Sequence, residues 1–128
     1  MSLRDKLQVL VVDDMSTSRG LLTQALDEIG VRNYRTESDG EIAWRSLAAK
    51  PVHLVISDYN MPRMDGLQLL EAIRSHKAIA RTGFILVTGR ADKQIIDHGV
   101  RLGMNNFLKK PFQAGQLKAC IEKVVGRL

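Results

Sequence analysis

Hydrophobic residues are arranged along this chain in two alternating ways: short continuous runs and longer stretches with helical spacing. The runs are rich in β-branched residues and bounded by turn formers, as in strands buried on both faces of a parallel sheet. Because runs and amphipathic stretches alternate, we expect an α/β domain with five strands and five helices. The predicted strands are 8–13, 32–36, 53–57, 84–87 and 106–109, and the predicted helices are 16–29, 38–49, 66–75, 92–102 and 114–128.

Capping residues support the predicted helix boundaries. Ser16 is the expected N-cap of the first helix, and Gly30 is expected to end it. The segment 38–41 (Ser-Asp-Gly-Glu) has the form of a capping box at the start of the second helix. The fifth helix carries the clearest amphipathic stripe, which includes Cys120, and we expect this thiol in the core. Trp44 on the second helix is likewise assigned to packing.

Strict alternation favours a doubly wound sheet, for which the strand order 2-1-3-4-5 fits, with the first and fifth helices on one face. Two strands then deliver carboxylates to the same edge, where the first ends at Asp13 and Asp14 and the third ends at Asp58. If these strands are neighbours, three negative charges converge, which is unfavourable without a cation between them. All-oxygen ligation with few protein ligands suits Mg²⁺.

The other strand ends add a hydroxyl and an ammonium to this edge. Thr88 and Gly89 follow the fourth strand, and Lys110 follows the fifth. An aspartate can attack phosphorus as a nucleophile, and the transferred phosphoryl group needs Mg²⁺ and a lysine to neutralise it. Asp58 is then the nucleophile, Thr88 bonds a phosphoryl oxygen, and Gly89 leaves space for the donor. Each residue alone also has an ordinary structural explanation, but their coincidence at four strand ends favours phosphoryl transfer.

Composition limits the class of protein. The 128 residues are 45% apolar and 26% charged, which is ordinary for one globular domain spanning 1–128. A single cysteine permits no intrachain disulfide and favours a reducing compartment. The start of the chain has no signal-peptide pattern, and no apolar stretch approaches the roughly 18 residues of a membrane span. We therefore expect a cytoplasmic protein without a membrane segment.

The positive charge is concentrated in the last third of the chain. Residues 1–83 hold 11 Lys/Arg against 11 Asp/Glu, whereas residues 84–128 hold 8 against 3, so the net charge of +5 falls entirely in the second part. This excess fits an acidic partner surface, a nucleic-acid patch or simply a solvated face.

Four motifs together resemble a known family, the receiver domain of two-component response regulators. They are Val11-Val12-Asp13-Asp14, Asp58 with Met61-Pro62 and Met64-Asp65-Gly66, Val87-Thr88, and Lys110-Pro111-Phe112. The resemblance covers residues from about 7 to 125. Within the family, the segments 14–19 and 56–62 resemble the single-domain, CheY-like chemotaxis regulators. It implies a flavodoxin-like fold with the strand order given above, and a monomer.

The resemblance also implies metal ligands and a phosphoacceptor. Asp58 corresponds to the phosphoacceptor, and Asp14 to a direct Mg²⁺ ligand. Asp13 would act on the ion largely through water, and the backbone carbonyl of Asn60 would be a further ligand, with Asp58 completing the set.

The remaining site residues and the donor follow from the same resemblance. Lys110 would pair with the phosphoryl group across a cis Lys110-Pro111 peptide bond, and Thr88 would swing toward it. The donor would be a phosphohistidine on a chemotaxis histidine kinase. The protein would not be an enzyme acting on other substrates, because it would catalyse only its own phosphorylation and dephosphorylation.

Several positions relate to switching and output. Phe107 stands where the family typically has a tyrosine that rotates inward, and Lys109 stands where the family usually has an apolar residue. Arg90 and Asn60 lie two residues after Thr88 and Asp58, where the family tunes the lifetime of the phosphoryl group. Gly89 is assigned to the same switch region.

Several functions remain open from the sequence. In the first, phosphorylation changes the surface of the fourth helix, fifth strand and fifth helix, which then binds a partner such as the flagellar motor switch. In the second, the protein is a phosphate sink that drains a shared kinase. A flavin carrier is disfavoured because Asp13 and Asp14 would repel the flavin phosphate, and a phosphatase because no cap domain forms a substrate pocket. Nucleic-acid binding is disfavoured because no helix-turn-helix follows the fifth helix.

Overall fold

Strands and helices alternate along the chain in a computed structural model that describes residues 2–90 and 92–128. The strands are β1 (Val9–Val12), β2 (Tyr34–Glu37), β3 (Leu54–Asp58), β4 (Gly83–Thr88) and β5 (Asn106–Lys109). The helices are α1 (Leu3–Lys6), α2 (Ser16–Glu28), α3 (Gly40–Ala49), α4 (Gly66–Ser75), α5 (Lys93–Arg101) and α6 (Ala114–Val125), and a 3₁₀ turn spans Lys77–Ile79.

The strands form one parallel sheet in the order β2-β1-β3-β4-β5, which confirms the predicted doubly wound topology. Val12 of β1 pairs with Ser57 of β3, so the residues that follow, Asp13 and Asp58, leave the sheet side by side. Thr88 of β4 pairs with Lys109 of β5. The carboxyl ends of β1, β3, β4 and β5 therefore lie along the same edge of the sheet.

Each face of the sheet carries its own hydrophobic core. Because successive side chains of a strand point to opposite faces, Val9 and Val11 belong to one core, and Leu10 and Val12 to the other. The first core is closed by α2 and α6, as predicted for the first and fifth helices, and it includes the buried Cys120. The second is closed by α3, α4 and α5, and Trp44 packs against it.

Helix boundaries differ from the predictions at several points. The described part of the chain has six α-helices where five were predicted, because α1 has only four residues, too few to show a hydrophobic period. Ser16 is the first residue of α2, and the N-cap is Met15. Asp39, and not Ser38, caps α3, since its carboxylate accepts from the amides of Glu41 and Ile42.

The C-terminal helix is shorter than predicted. It ends at Val125, and Gly126 follows with a φ of 100°, a left-handed conformation that stops the helix. The edge strand β2 begins two residues later than predicted, and its residues are partly exposed, in keeping with their polarity. Over residues 2–90 and 92–128, none of the helices is both long and apolar enough to span a membrane.

Candidate functional site

Three carboxylates converge at the carboxyl edge of the sheet. Asp13, Asp14 and Asp58 each offer an oxygen, and these three oxygens all lie within 4.8 Å of one another. Asp13 and Asp58 are buried, whereas Asp14 is exposed. A compact, all-oxygen set that is open to water on one side matches the way Mg²⁺ binds to proteins through few direct ligands. The residues present therefore fit a divalent cation.

Within 2–90 and 92–128, Lys110 is the one cationic residue in contact with Asp58. Its Nζ lies 3.1 Å from Asp58 Oδ1 and 3.4 Å from Asp13 Oδ2. The side chain arrives from the end of β5, where the Lys110-Pro111 peptide bond is cis. The ammonium thus bridges the ends of β1 and β3.

Burial and charge act in opposite directions on Asp58. Burial raises the pKa of its carboxyl, and the neighbouring Asp13 raises it further, while the charge and hydrogen bond of Lys110 lower it. The net effect is a pKa above the ordinary value, with burial as the largest cause. The charge of the one lysine therefore does not outweigh the effect of burial on this carboxyl.

Two residues at the start of α2 belong to the site although sequence reasoning gave them no function. The hydroxyl of Ser18 donates to Asp13 Oδ2 and accepts from Lys110 Nζ at 2.7 Å. The guanidinium of Arg19 donates to the carbonyl of Asp13 at 2.8 Å. The sequence signal was a run of three hydroxyl residues at 16–18. Which of these three side chains faces the site depends on where α2 begins. The sequence predicted Ser16 as the N-cap, whereas the N-cap is Met15.

Thr88 lies at the same edge but is turned toward its own loop. Its side chain is buried, and its Oγ1 accepts from the amide of Arg90 at 3.0 Å. The Arg90 side chain is exposed, with its guanidinium 3.8 Å from Asp92. At Gly89, a Cβ atom would meet nothing within 4 Å. The structure therefore places Thr88 near the site without a bond to Asp58, and its role in phosphoryl binding stays a prediction.

The loop after β3 is held close to Asp58. The amide of Tyr59 donates to Val87 at 3.1 Å, and the amide of Gly66 donates to the carbonyl of Tyr59 at 2.8 Å. Asn60 extends from this anchored segment and is exposed. Arg63 adopts a φ of 66° and its guanidinium pairs with Asp39, the cap of α3. The loop that carries the predicted Asn60 ligand is thus fastened at both ends.

Two of the predicted output residues, Phe107 and Lys109, lie on the surface of β5. Phe107 keeps 39% of its surface exposed, and Lys109 is exposed on the same strand, while Leu108 between them is buried. This alternation places Phe107 and Lys109 on one side of β5. The family's tyrosine at this position rotates inward, whereas in this structure the ring of Phe107 is partly exposed to solvent.

A groove of about 740 Å³ opens beside the site, between the first turns of α2 and the segment after β5. Its walls include the exposed side chains of Met15 and Leu21, together with Phe112. Ser18 and Lys110 form part of the same lining. The contact between the Ser18 hydroxyl and the Lys110 ammonium therefore borders a groove that is open to solvent.

Comparison with known proteins identifies relatives over the whole chain. The family model described as the response regulator receiver domain matches residues 9–122. A probable chemotaxis protein CheY of Rhizobium etli is 42% identical over 128 residues, which cover 100% of this chain and 99% of that protein. The solved structure of the chemotaxis protein CheY4 of Vibrio cholerae has a TM-score of 0.86 and 27% identity, covering 93% of this chain and 98% of that one.

A third similar protein carries a metal. The receiver domain of the sensor histidine kinase PA1611 of Pseudomonas aeruginosa, with a magnesium ion coordinated in its active site cleft, has a TM-score of 0.85 and 25% identity. The superposition covers 94% of this chain and 98% of that domain.

Proposed function

The chain belongs to the response regulator receiver family, in its CheY-type chemotaxis branch, and on this basis we propose that it accepts a phosphoryl group on Asp58. The single observation that carries the proposal is the position of Asp58 between a lysine ammonium at 3.1 Å and two further carboxylates. A buried carboxylate flanked by one cation, with an oxygen-lined place for a second, has the surroundings that an attacking aspartate needs.

The proposed reaction is an exchange of one bond to phosphorus for another. A carboxylate oxygen of Asp58 attacks the phosphorus of a kinase phosphohistidine, a P–O bond forms, and the P–N bond breaks. The imidazole nitrogen keeps the bonding electron pair and takes up a proton. Lys110, already in contact with Asp58, would follow the phosphoryl oxygens and neutralise part of their charge. The later loss of the group by hydrolysis would regenerate the carboxylate, so no other substrate is turned over.

The metal site proposed for this reaction consists of Asp13, Asp14 and Asp58, with the backbone carbonyl of Asn60. Mg²⁺ bound there would neutralise charge on the phosphoryl oxygens. The magnesium in the cleft of the Pseudomonas aeruginosa receiver domain supports this assignment. Within the chain, three neighbours fix the carboxylate of Asp13. The amide of Met15 donates to its Oδ1 at 3.0 Å, and Ser18 and Lys110 contact its Oδ2.

Labelling with a small phosphodonor tests the proposal. Acetyl phosphate and Mg²⁺ should add one phosphoryl group to the wild-type protein, seen as an increase in intact mass, and peptide mapping should locate it at Asp58. Asp58→Asn should remain unlabelled. Asp65→Asn, which changes the half-buried carboxylate that caps α4, should still be labelled. A label that persists in Asp58→Asn would reject Asp58 as the phosphoacceptor.

For the output, we propose that the phosphorylated form binds an acidic partner, such as a segment of the flagellar motor switch, through α5, β5 and α6. These elements carry exposed basic side chains, namely Lys93, Arg101, Lys109, Lys118 and Lys123, and they also expose the apolar side chains of Val100 and Phe107. Exposed basic and apolar side chains together are suited to an acidic partner that also buries hydrophobic side chains.

A phosphate sink is the second candidate, and Phe107 is the observation that favours it. A phenylalanine lacks the hydroxyl with which a tyrosine could bond a partner, and Lys109 adds a charge beside it. Binding of motor-switch fragments, measured with and without the phosphoryl mimic beryllofluoride, separates the two. The output function is supported if binding requires the mimic and is weakened by Lys109→Glu. Lys50→Glu, near the opposite edge of the sheet, is the control and should leave this binding unaffected. Equal absence of binding in both states supports the sink.

A further inference from the structure

We infer that Ser18 is a positioning residue for phosphoryl transfer, acting through Lys110 and Asp13. The inference rests on the proposed function of Asp58. It starts from the observation that the shortest contact of the Lys110 ammonium is to Ser18 Oγ, at 2.7 Å, compared with 3.1 Å to Asp58 and 3.4 Å to Asp13.

The direction of each hydrogen bond around Ser18 is fixed by chemistry. An ammonium can only donate hydrogen bonds, and an ionised carboxylate can only accept them. A hydroxyl can donate one hydrogen bond and accept two. The Ser18 proton therefore goes to Asp13 Oδ2, and one of its lone pairs faces Lys110. The hydroxyl thus connects the cationic side of the site to its acidic side.

This connection completes the set of partners for Lys110. The three protons of the ammonium meet three oxygens, one each on Ser18, Asp13 and Asp58. A lysine side chain is otherwise flexible, and ordering it requires such partners. When Asp58 carries a phosphoryl group, Ser18 and Asp13 can keep two protons engaged while the third turns to a phosphoryl oxygen. Ser18 therefore holds the charge of Lys110 within reach of the reacting group.

The neighbouring hydroxyls provide an internal comparison. Ser16, Thr17 and Ser18 follow one another in the first turn of α2, yet in the structure over 2–90 and 92–128 only Ser18 of these three has a side-chain hydrogen bond. Ser16 and Thr17 are exposed, and Ser18 is half-buried. The third position of the helix is the one that faces back over the end of β1, so the contact depends on position and not merely on a hydroxyl-rich segment.

The test compares Ser18→Ala, Ser18→Thr and the control Ser16→Ala in the full chain. With acetyl phosphate as the probe and saturating Mg²⁺, Ser18→Ala should be labelled about tenfold more slowly than wild type, the scale set by one hydrogen bond to a charged group. Ser18→Thr should restore most of the rate, and Ser16→Ala should match wild type. Because position 18 is half-buried in a first helical turn, alanine is compatible with folding, which circular dichroism verifies.

A spectroscopic measurement on unphosphorylated protein gives a second readout. The ¹⁵N–¹H signal of the Lys110 ammonium should be protected from exchange in wild type and in Ser18→Thr, and broadened or shifted in Ser18→Ala. A Ser18→Ala rate equal to that of wild type overturns the inference even if the ammonium signal changes. If wild type itself takes no label at Asp58, the proposed function fails and the positioning role fails with it. An unchanged ammonium signal alongside a slower rate also overturns it, because Ser18 would then act by another route.

Discussion

Lys110 Nζ lies 3.1 Å from Asp58 Oδ1, and the pKa of Asp58 is nevertheless raised above its ordinary value, because burial outweighs the attraction of the ammonium. The folded protein thus holds the proton of Asp58 more tightly than the unfolded chain does. The associated stability is fully present below the unfolded pKa of this carboxyl and is lost as the pH rises through the folded one. At neutral pH without a divalent cation, the ionised Asp58 weakens the fold.

The first prediction is that Asp58→Asn is more stable than wild type at pH 7 in metal-free buffer, by about 1 kcal/mol. The amide removes a poorly compensated charge, and Lys110 keeps Asp13 and Ser18 as partners. Urea unfolding followed by the fluorescence of Trp44 measures the difference, which should shrink at acidic pH, where the carboxyl is protonated in both states. The control Asp97→Asn, at an exposed site, should change little. An Asp58→Asn variant less stable than wild type would contradict the prediction.

Much of the scaffold of this site could be predicted from the sequence, because strands buried on both faces are encoded as continuous apolar runs. Each such run ends where the chain turns polar, so the ends that carry Asp13, Asp58, Thr88 and Lys110 could be placed on one edge. The strand order was favoured by the alternation of elements and by family resemblance, and the structure confirms it.

Side-chain contacts between elements could not be predicted in the same way. Ser18 reaches Lys110 across 92 residues of sequence, and nothing in local spacing encodes that approach. Thr88 bonds to Arg90, a choice that depends on the conformation of the loop after β4. Helix α1 is too short to show periodicity, and Ser16 lost the capping position to Met15. These features follow from tertiary packing and from exact helix starts, both of which a single sequence specifies weakly.

Arg74 supports the second prediction, that its loss destabilises the half of the sheet carrying β4 and β5. Its guanidinium donates to the carbonyls of Thr82 at 2.6 Å and Ala80 at 3.0 Å, and also to Gly103 and to the side chain of Asn105. Asn105 in turn accepts from the amide of Phe84 at 2.8 Å. One side chain therefore connects α4 to the segment that precedes β4 and to the segment that precedes β5.

Arg74→Ala should lower the free energy of unfolding by about 2 kcal/mol, since several backbone oxygens lose a charged donor. Arg74→Lys should fall between alanine and wild type, because an ammonium cannot reproduce the planar set of donors. Urea denaturation measures both, with Arg81→Ala at an exposed position as the matched control. Equal stabilities of Arg74→Ala and Arg81→Ala would exclude this role for the guanidinium.

Cys120 gives the third prediction, which concerns thiol reactivity. The side chain is buried in α6, and burial raises the pKa of its thiol to about 11. Since the thiolate is the reactive form, alkylation of the native protein by iodoacetamide at pH 8 should be about a hundredfold slower than in urea. Rapid native alkylation with second-order kinetics like those of the unfolded chain would contradict the burial of this thiol.

The same shift has a consequence for stability at alkaline pH. A thiol whose folded pKa is raised contributes stability that is complete below the unfolded pKa and is lost as the pH rises through about 11. Wild type should therefore lose stability relative to Cys120→Ala as the pH increases from about 8.5 toward that value. Comparing the two proteins at each pH cancels the effects of tyrosines and lysines that titrate in the same range.

Gly66 supports the last prediction, because it lies against the backbone of Asp58. A Cβ atom at this position would come within 2.4 Å of the carbonyl oxygen of Asp58 and 3.1 Å of Tyr59 Cα. Backbone atoms cannot move aside as a flexible side chain can, so Gly66→Ala must displace either the start of α4 or the end of β3. The expected cost is about 2 kcal/mol of stability, typical of overpacking.

Gly115 is the matched control, since it also lies in the first turn of a helix and a Cβ there would meet nothing within 4 Å. Gly115→Ala should leave stability unchanged or raise it by about 0.5 kcal/mol. If Gly66→Ala folds, its labelling by acetyl phosphate should be slowed, because a shift of the Asp58 carbonyl moves the carboxylate away from Lys110 Nζ. A labelling rate equal to that of wild type would mean that the end of β3 stays in place and that the start of α4 moves instead. An unchanged midpoint of urea unfolding would rule out the steric contact altogether.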